Sequence, residues 1–141
     1  MVIVSNETFQ PWQVLADYER ERVGLGGQYG ATAVFVGTMR SLNQGHTVEA
    51  MTLEHYPGMT EKYLARVCEE AAGKWEVMDC FVRHRYGRIL PDESIVLIAT
   101  WSQHRKQALA ACQYIIDELK IRAPFWKQEV TDRGHSWVSP E

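Results

Sequence analysis

Cysteine is scarce in this 141-residue chain: Cys68, Cys80 and Cys112 are odd in number, widely spaced and never arranged as CxxC. No disulfide framework is expected, and the pattern suits a reducing, cytoplasmic setting. No apolar run approaches the ~20 residues that cross a bilayer. Met1 to Thr8 lacks the basic and apolar regions of a signal peptide, so no membrane association is expected. Charge of neither sign dominates: 15 Lys and Arg against 18 Asp and Glu leave a net −3. The chain as a whole is therefore not expected to bind nucleic acid by electrostatics. HExxH, paired CxxC and nucleophile-elbow patterns are missing. His46, His55, His84 and His135 show no ligand spacing among themselves or with the cysteines. Neither a metal nor a cofactor is expected.

What is present is an ordinary globular composition, 45% hydrophobic, 23% charged and 11% aromatic. A chain of this length buries roughly two-thirds of its unfolded surface and holds a core without staples. Residues 1–141 are expected to form one domain. Pro11 to Arg22 has helical spacing and is followed by a break, Val23-Gly24-Leu25-Gly26-Gly27. That break is no P-loop, because no strand precedes it and no GK[ST] follows.

Ala31 to Val36 and Thr47 to Tyr56 read as strands joined by a polar loop, Ser41 to His46. Met59 to Lys74 reads as a helix with Leu64, Val67, Cys68 and Ala71 on one face and Gly73 as a stop signal. Val77 to Arg85 and the fully apolar Ser94 to Trp101 read as strands around a turn, Tyr86 to Glu93. A helix from Gln103 to Lys120 buries Ala108, Ala111, Cys112, Ile115 and Leu119. Phe125 to Val130 and His135 to Val138 close the chain as strands around the turn Thr131-Asp132-Arg133-Gly134. Strand pairs alternating with helices predict an α+β fold, a two-layer sandwich with a mainly antiparallel sheet.

Three places could carry chemistry. Ser102 stands where an N-cap belongs, with His104 and Arg105 in the turn that follows. The helix macrodipole disfavours cations there unless an anion joins them, so the free amides with His104 and Arg105 suit a phosphate or carboxylate; solvated surface charge is the bland alternative. Lys120, Arg122 and Lys127 crowd around Phe125 and Trp126. A lysine near other cations and partly desolvated has a lowered pKa, which suits an acid, base or nucleophile. Each lysine could equally cap the helix dipole or lie over an aromatic ring. Arg40 follows Gly37-Thr38-Met39 at a strand end, where a glycine permits close backbone approach. A hydrolase is disfavoured for want of an acid pair or activated nucleophile.

Four stretches in order resemble the large, catalytic subunit of molybdopterin synthase: Leu53-Glu54-His55-Tyr56-Pro57-Gly58-Met59-Thr60-Glu61-Lys62, then His84-Arg85-Tyr86-Gly87 with Pro91-Asp92-Glu93. Ser102-Gln103-His104-Arg105 and Lys120-Ile121-Arg122-Ala123-Pro124-Phe125-Trp126-Lys127-Gln128-Glu129 complete them. The resemblance spans roughly Gly30 to Val138, and residues 1–29 are expected to be a variable N-terminal segment. It implies an α/β-hammerhead-like fold and a sulfurtransferase of molybdenum cofactor biosynthesis. The implied substrate is cyclic pyranopterin monophosphate, which receives two sulfurs to form the molybdopterin dithiolene. The implied sulfur donor is a small ubiquitin-like subunit whose C-terminal glycine carries a thiocarboxylate. The implied assembly is a homodimer within a heterotetramer, with residues of both protomers near each site.

On the same resemblance, Lys120 is the principal catalytic residue and Lys127 assists by charge. Thr38, Met39, Arg40, His104, Arg105, Gln128 and Glu129 join the two lysines in binding substrate. Gln128 stands where a basic residue is expected, which weakens the local positive field. The chain also stops soon after Trp137, so contacts from a longer tail are not expected. A non-catalytic phosphate-binding module and a sulfur-carrier docking scaffold are the competing readings.

Overall fold

A computed structural model describes residues 1–21, 24–43, 45–131 and 134–138. Arg22 and Val23, Gln44, and the Asp132-Arg133 centre of the last turn lie outside the described residues. The described elements are β1 (Val2–Ser5), α1 (Pro11–Glu21), β2 (Ala31–Thr38), β3 (Leu42–Asn43), β4 (His46–His55) and α2 (Met59–Trp75). They continue with β5 (Asp79–Arg85), β6 (Gly87–Ile89), β7 (Ser94–Ser102), α3 (Arg105–Arg122), β8 (Phe125–Thr131) and β9 (Gly134–Val138). No described helix is long and apolar enough to cross a membrane.

The α+β reading holds, but the strands divide between two sheets. One runs β1-β5-β7-β2 and the other β3-β4-β8-β9, with β6 added to β4. Pairing is antiparallel except for β1 with β5. Strand β7 explains the unbroken apolar run: its two faces meet different layers. Val96 and Ile98 join the core under α2 and α3, and Thr100 Oγ1 donates to the Ala108 carbonyl of α3 at 2.8 Å. Leu97, Ala99 and Trp101 pack with Tyr18 of α1 and Phe81. Strand β1 went unread because four residues carry almost no periodicity. It is placed by its neighbour β5 and by the terminal amine, which donates to the Cys80 carbonyl at 2.8 Å.

Strand β4 is the spine of the second sheet, with β3 and β6 along one edge and β8 along the other. Its buried side chains Val48, Met51 and Leu53 pack with Met39 and Ile89. Both short strands, β3 and β6, fall where the sequence suggested only loop and turn.

The expected inner faces of α2 and α3 are buried, the three cysteines among them or beside them. Two expected boundaries move. Gly73 does not stop α2; the helix runs on to Trp75 and ends at Glu76 in the left-handed conformation, φ 53°. Ser102 is not the N-cap of α3 but the buried last residue of β7, and His104 takes the cap position with extended backbone.

Helices α2 and α3 are fastened where α3 ends. Arg122 donates to both oxygens of Glu70, at 2.7 and 3.0 Å, and Tyr114 donates its hydroxyl to Glu70 at 2.5 Å. These bonds hold the Glu70 carboxyl down at about 2. A depressed carboxyl pKa stabilises the fold above the unfolded value, 4.5, and that stability is lost as pH falls toward about 2. Thermal midpoints taken across this interval should fall with pH in the native chain and fall less steeply in Glu70→Gln.

Candidate active site

Three elements converge on one cavity of about 560 Å³. The first is the end of β2, where the register shifts between Gly37 and Thr38 and the chain leaves the sheet. Gly37 is required there, since an added Cβ would stand 2.8 Å from Val96 Cγ1. Beyond it, Thr38, Met39 and Arg40 line the cavity. Met39 is buried in the second core, whereas Thr38 and Arg40 are exposed.

The second element is the last turn of α3. Ile116, Leu119, Lys120 and Ala123 line the cavity at the i, i+3, i+4, i+7 spacing of one helical face. The third is β8, and here strand alternation selects the side chains. Lys127 and Glu129 stand opposite Leu53 and Met51 of β4, and all four line the cavity. Gln128 alternates with them and is not among the lining residues. The substrate contact expected of Gln128 is therefore not supported by its placement.

Lys127 Nζ lies 3.7 Å from Glu129 Oε1, and the Glu129 side chain is 8% exposed. Lys120, in contrast, is exposed and has no ion pair among the described residues. The cavity thus presents Arg40, Lys120 and Lys127 against the carboxylate of Glu129. Such a lining suits a ligand carrying more than one negative charge. The Met51, Leu53 and Phe125 side chains offer a flat or apolar part of that ligand something to lie against.

His104 and Arg105 are not brought to this cavity. They sit at the start of α3, and 15 residues of helix, roughly 22 Å at 1.5 Å per residue, separate Arg105 from Lys120. His104 instead borders a hollow of about 130 Å³ with Glu76, Met78, Ser102, Gln103 and Gln107. Gly30 fixes that corner: its N–H donates to the Ser102 carbonyl at 2.9 Å, and a Cβ on it would stand 2.3 Å from the Gln103 carbonyl oxygen. Within one chain His104 and Arg105 therefore lie apart from the cavity that Lys120 lines.

Sequence reasoning missed His84, which lines the cavity together with Lys120 and Phe125. Its ring stacks on Phe125 at 3.9 Å, and Nδ1 is 2.7 Å from the Arg85 carbonyl. A carbonyl only accepts, so Nδ1 carries the proton and Nε2 remains a lone-pair acceptor. In the sequence it stands between Arg83 and Arg85, and nothing there marks it as lining a cavity. A search for metal-ligand spacing passes over it.

A family model described as "MoaE protein" matches residues 4–122. The chain belongs to the MoaE family. A Ralstonia nicotianae protein named molybdopterin synthase catalytic subunit is 51% identical over 111 residues, covering 79% of this chain and 63% of that protein. The chain thus spans a little under two-thirds of that relative. A Pseudomonas aeruginosa protein of the same name is 44% identical over 135 residues, 96% of this chain and 87% of its own length. Among solved structures, molybdopterin synthase from Staphylococcus aureus superposes with a TM-score of 0.84 at 32% identity, covering 98% of this chain and 95% of that one. A MoaE protein from Burkholderia ambifaria superposes at 0.80 with 41% identity, covering 99% and 89%. Both superpositions extend over nearly the whole chain.

Burial, opposed by the bond to Arg85 and aided by the charges of His55 and Lys120, brings His84 down to about 4 from 6.5. As pH falls through 6.5 the unfolded chain takes up a proton that the native chain does not. Stability is full above that value and is lost at up to about 1.4 kcal/mol per pH unit until the native pKa is reached. Urea melts between neutrality and mild acid should show this slope, and His84→Asn should flatten it. The His84 window opens at 6.5 and overlaps that of Glu70, which opens at 4.5, only near its acid end.

Proposed function

We propose that this chain is the catalytic subunit of a molybdopterin synthase. In this reading it transfers sulfur from the thiocarboxylated C-terminal glycine of a small ubiquitin-like carrier to cyclic pyranopterin monophosphate. The product is the dithiolene of molybdopterin, and because each carrier tail holds one sulfur, each turnover consumes two carriers. The observation that carries the reading is the meeting of Arg40, Lys120 and Lys127 at one cavity in a MoaE-family chain. The carrier tail and the substrate phosphate are both anionic, and a lining rich in cations attracts both.

The two lysines have different surroundings and so different roles. Lys127, beside the Glu129 carboxylate, is held as a fixed charge and stabilises the oxyanions that develop as sulfur attacks. Lys120 lacks such a partner and shares the cavity with the neutral His84, so its amine is the one free to act on the thiocarboxylate or the opening cyclic phosphate. Arg40 and Thr38, exposed at the rim, take the phosphate. Three unbridged cysteines suit a reducing compartment such as the cytoplasm.

The test combines purified chain, thiocarboxylated carrier and cyclic pyranopterin monophosphate, with product read as the fluorescent oxidised pterin. Lys120→Ala should keep the native thermal midpoint and carrier binding while losing about a hundredfold or more in turnover. Native-like turnover in that variant would remove Lys120 from the chemistry. Carrier binding with no dithiolene in the native protein would leave a docking scaffold.

His104 and Arg105 enter this scheme through a second copy of the chain. Since α3 holds them far from their own Lys120, they reach the cavity only across a homodimer. Lys120→Ala and Arg105→Ala chains, each inactive alone, should then restore one intact site when mixed and allowed to exchange. Random pairing puts the recovery at about a quarter of native activity. No recovery in verified mixed dimers would place Arg105 outside the partner's site.

A further inference from the structure

The segment from His84 to Glu93 contributes no cation to the cavity, yet it contains a buried one. Arg85 is 4% exposed. Its Nη1 donates to Glu93 Oε1 at 3.1 Å and its Nη2 to the Arg88 carbonyl at 2.9 Å, while Nε has no partner among the described residues. The same Glu93 Oε1 accepts the Leu90 N–H at 2.7 Å, and the Glu93 N–H donates to the Leu90 carbonyl at 3.1 Å. Side chain and backbone of Glu93 therefore close the turn over Pro91 and Asp92 together. Asp92 adopts φ 71°, a left-handed conformation that only a well-fastened turn sustains.

That turn grips the end of β2. The Met39 N–H donates to the Glu93 carbonyl and the Asp92 N–H donates to the Met39 carbonyl, both at 2.9 Å. Both backbone groups of Met39 are used, and its side chain is anchored in the second core. Arg40 is the next residue, so where it enters the cavity rim is set by what holds Met39. A buried guanidinium is a costly fastening for a turn, since an apolar pair of similar volume is commonly as stable or more so. What the ion pair adds is direction: one carboxylate oxygen fixes the guanidinium and the Leu90 amide at once.

We propose that Arg85 and Glu93 are positioning residues for Arg40, acting through the Leu90–Glu93 turn and the two backbone bonds to Met39. The inference rests on the assignment of Arg40 to the substrate phosphate. It extends the site to a pair that touches no ligand and explains why the His84–Glu93 stretch accompanies the cavity residues.

Glu93→Gln keeps the size of the side chain and an acceptor for Leu90 but weakens the hold on Arg85. Its thermal midpoint should stay near the native one, with kcat nearly unchanged and KM for cyclic pyranopterin monophosphate raised about fivefold. Arg40→Ala should raise the same KM further. Adding Glu93→Gln to Arg40→Ala should then change nothing, because there is no side chain left to position. Unchanged KM in Glu93→Gln, with a raised KM in Arg40→Ala, would overturn the positioning role and leave the Arg40 assignment intact. Unchanged KM in Arg40→Ala would overturn that assignment instead. Additive effects in the double variant would also defeat the proposal, since Glu93 would then act on something other than Arg40. If Glu93→Gln does not fold, the apolar exchange Arg85→Met with Glu93→Leu is read against Arg40→Ala in the same way.

Discussion

Strand β7 is buried on both faces, and the rest of the molecule is arranged around that requirement. A two-sided apolar strand is stable only between two packed layers, here α1 on one side and α2 with α3 on the other. Its neighbours follow from the pairing: β2 on one edge ends at Thr38 and the cavity rim, and β5 on the other ends at His84 and Arg85. Helix α3 lies on β7 through Ala108, Ile115 and their neighbours, which delivers Lys120 over the same spot. The second sheet then needs only a short connection. Ala123 bonds back to Leu119, Phe125 bonds to Ala123, and β8 begins at once, bringing Lys127 and Glu129 into register on β4. The cavity is the place where these ends meet.

Inside that cavity the charges are unequal by design of the backbone. Strand alternation puts Glu129 two residues from Lys127 on the same face, so the pair is built into β8 itself. Lys120 comes from a different element and has no carboxylate within ion-pairing distance among the described residues. Its buried neighbour is an imidazole kept neutral by burial, which can accept a hydrogen bond without cancelling positive charge. A carboxylate at position 84 would lower the attraction of the cavity for anions. The neutral acceptor keeps the field and still offers a partner.

The sequence made the helices and the long strands legible because their burial has a strong period. Leu64, Val67, Cys68 and Ala71, and Ala108, Ala111, Cys112, Ile115 and Leu119, are buried where the 3.6-residue repeat puts them. Strands β1, β3 and β6 were not legible: at four, two and three residues they are too short to show a period, and their pairing is imposed by neighbours distant in sequence. The same limit applied to the site. Lys120 and Lys127 stood out through the density of cations and aromatics around them. Arg40 was visible only as a weak strand-end arginine. His84 was concealed because it stands between Arg83 and Arg85 in a stretch that reads as an ordinary strand, and the Arg85–Glu93 pair is visible only once the turn between them is closed.

The distance along α3 is the point at which one chain becomes insufficient. Its N-terminus carries His104, Arg105 and Lys106 with no acidic residue in the first turn and no side-chain cap. Free amides, the positive end of the dipole and three basic side chains are mutually unfavourable in isolation. An anion relieves that arrangement, but the anion-attracting cavity of the same chain lies at the other end of the helix. If a second copy brings its cavity to this helix start, the phosphate assigned to Arg40 and Thr38 of one chain also satisfies the amides and cations of the other. Under that pairing the local electrostatic cost at the start of α3 becomes part of what binds the anion.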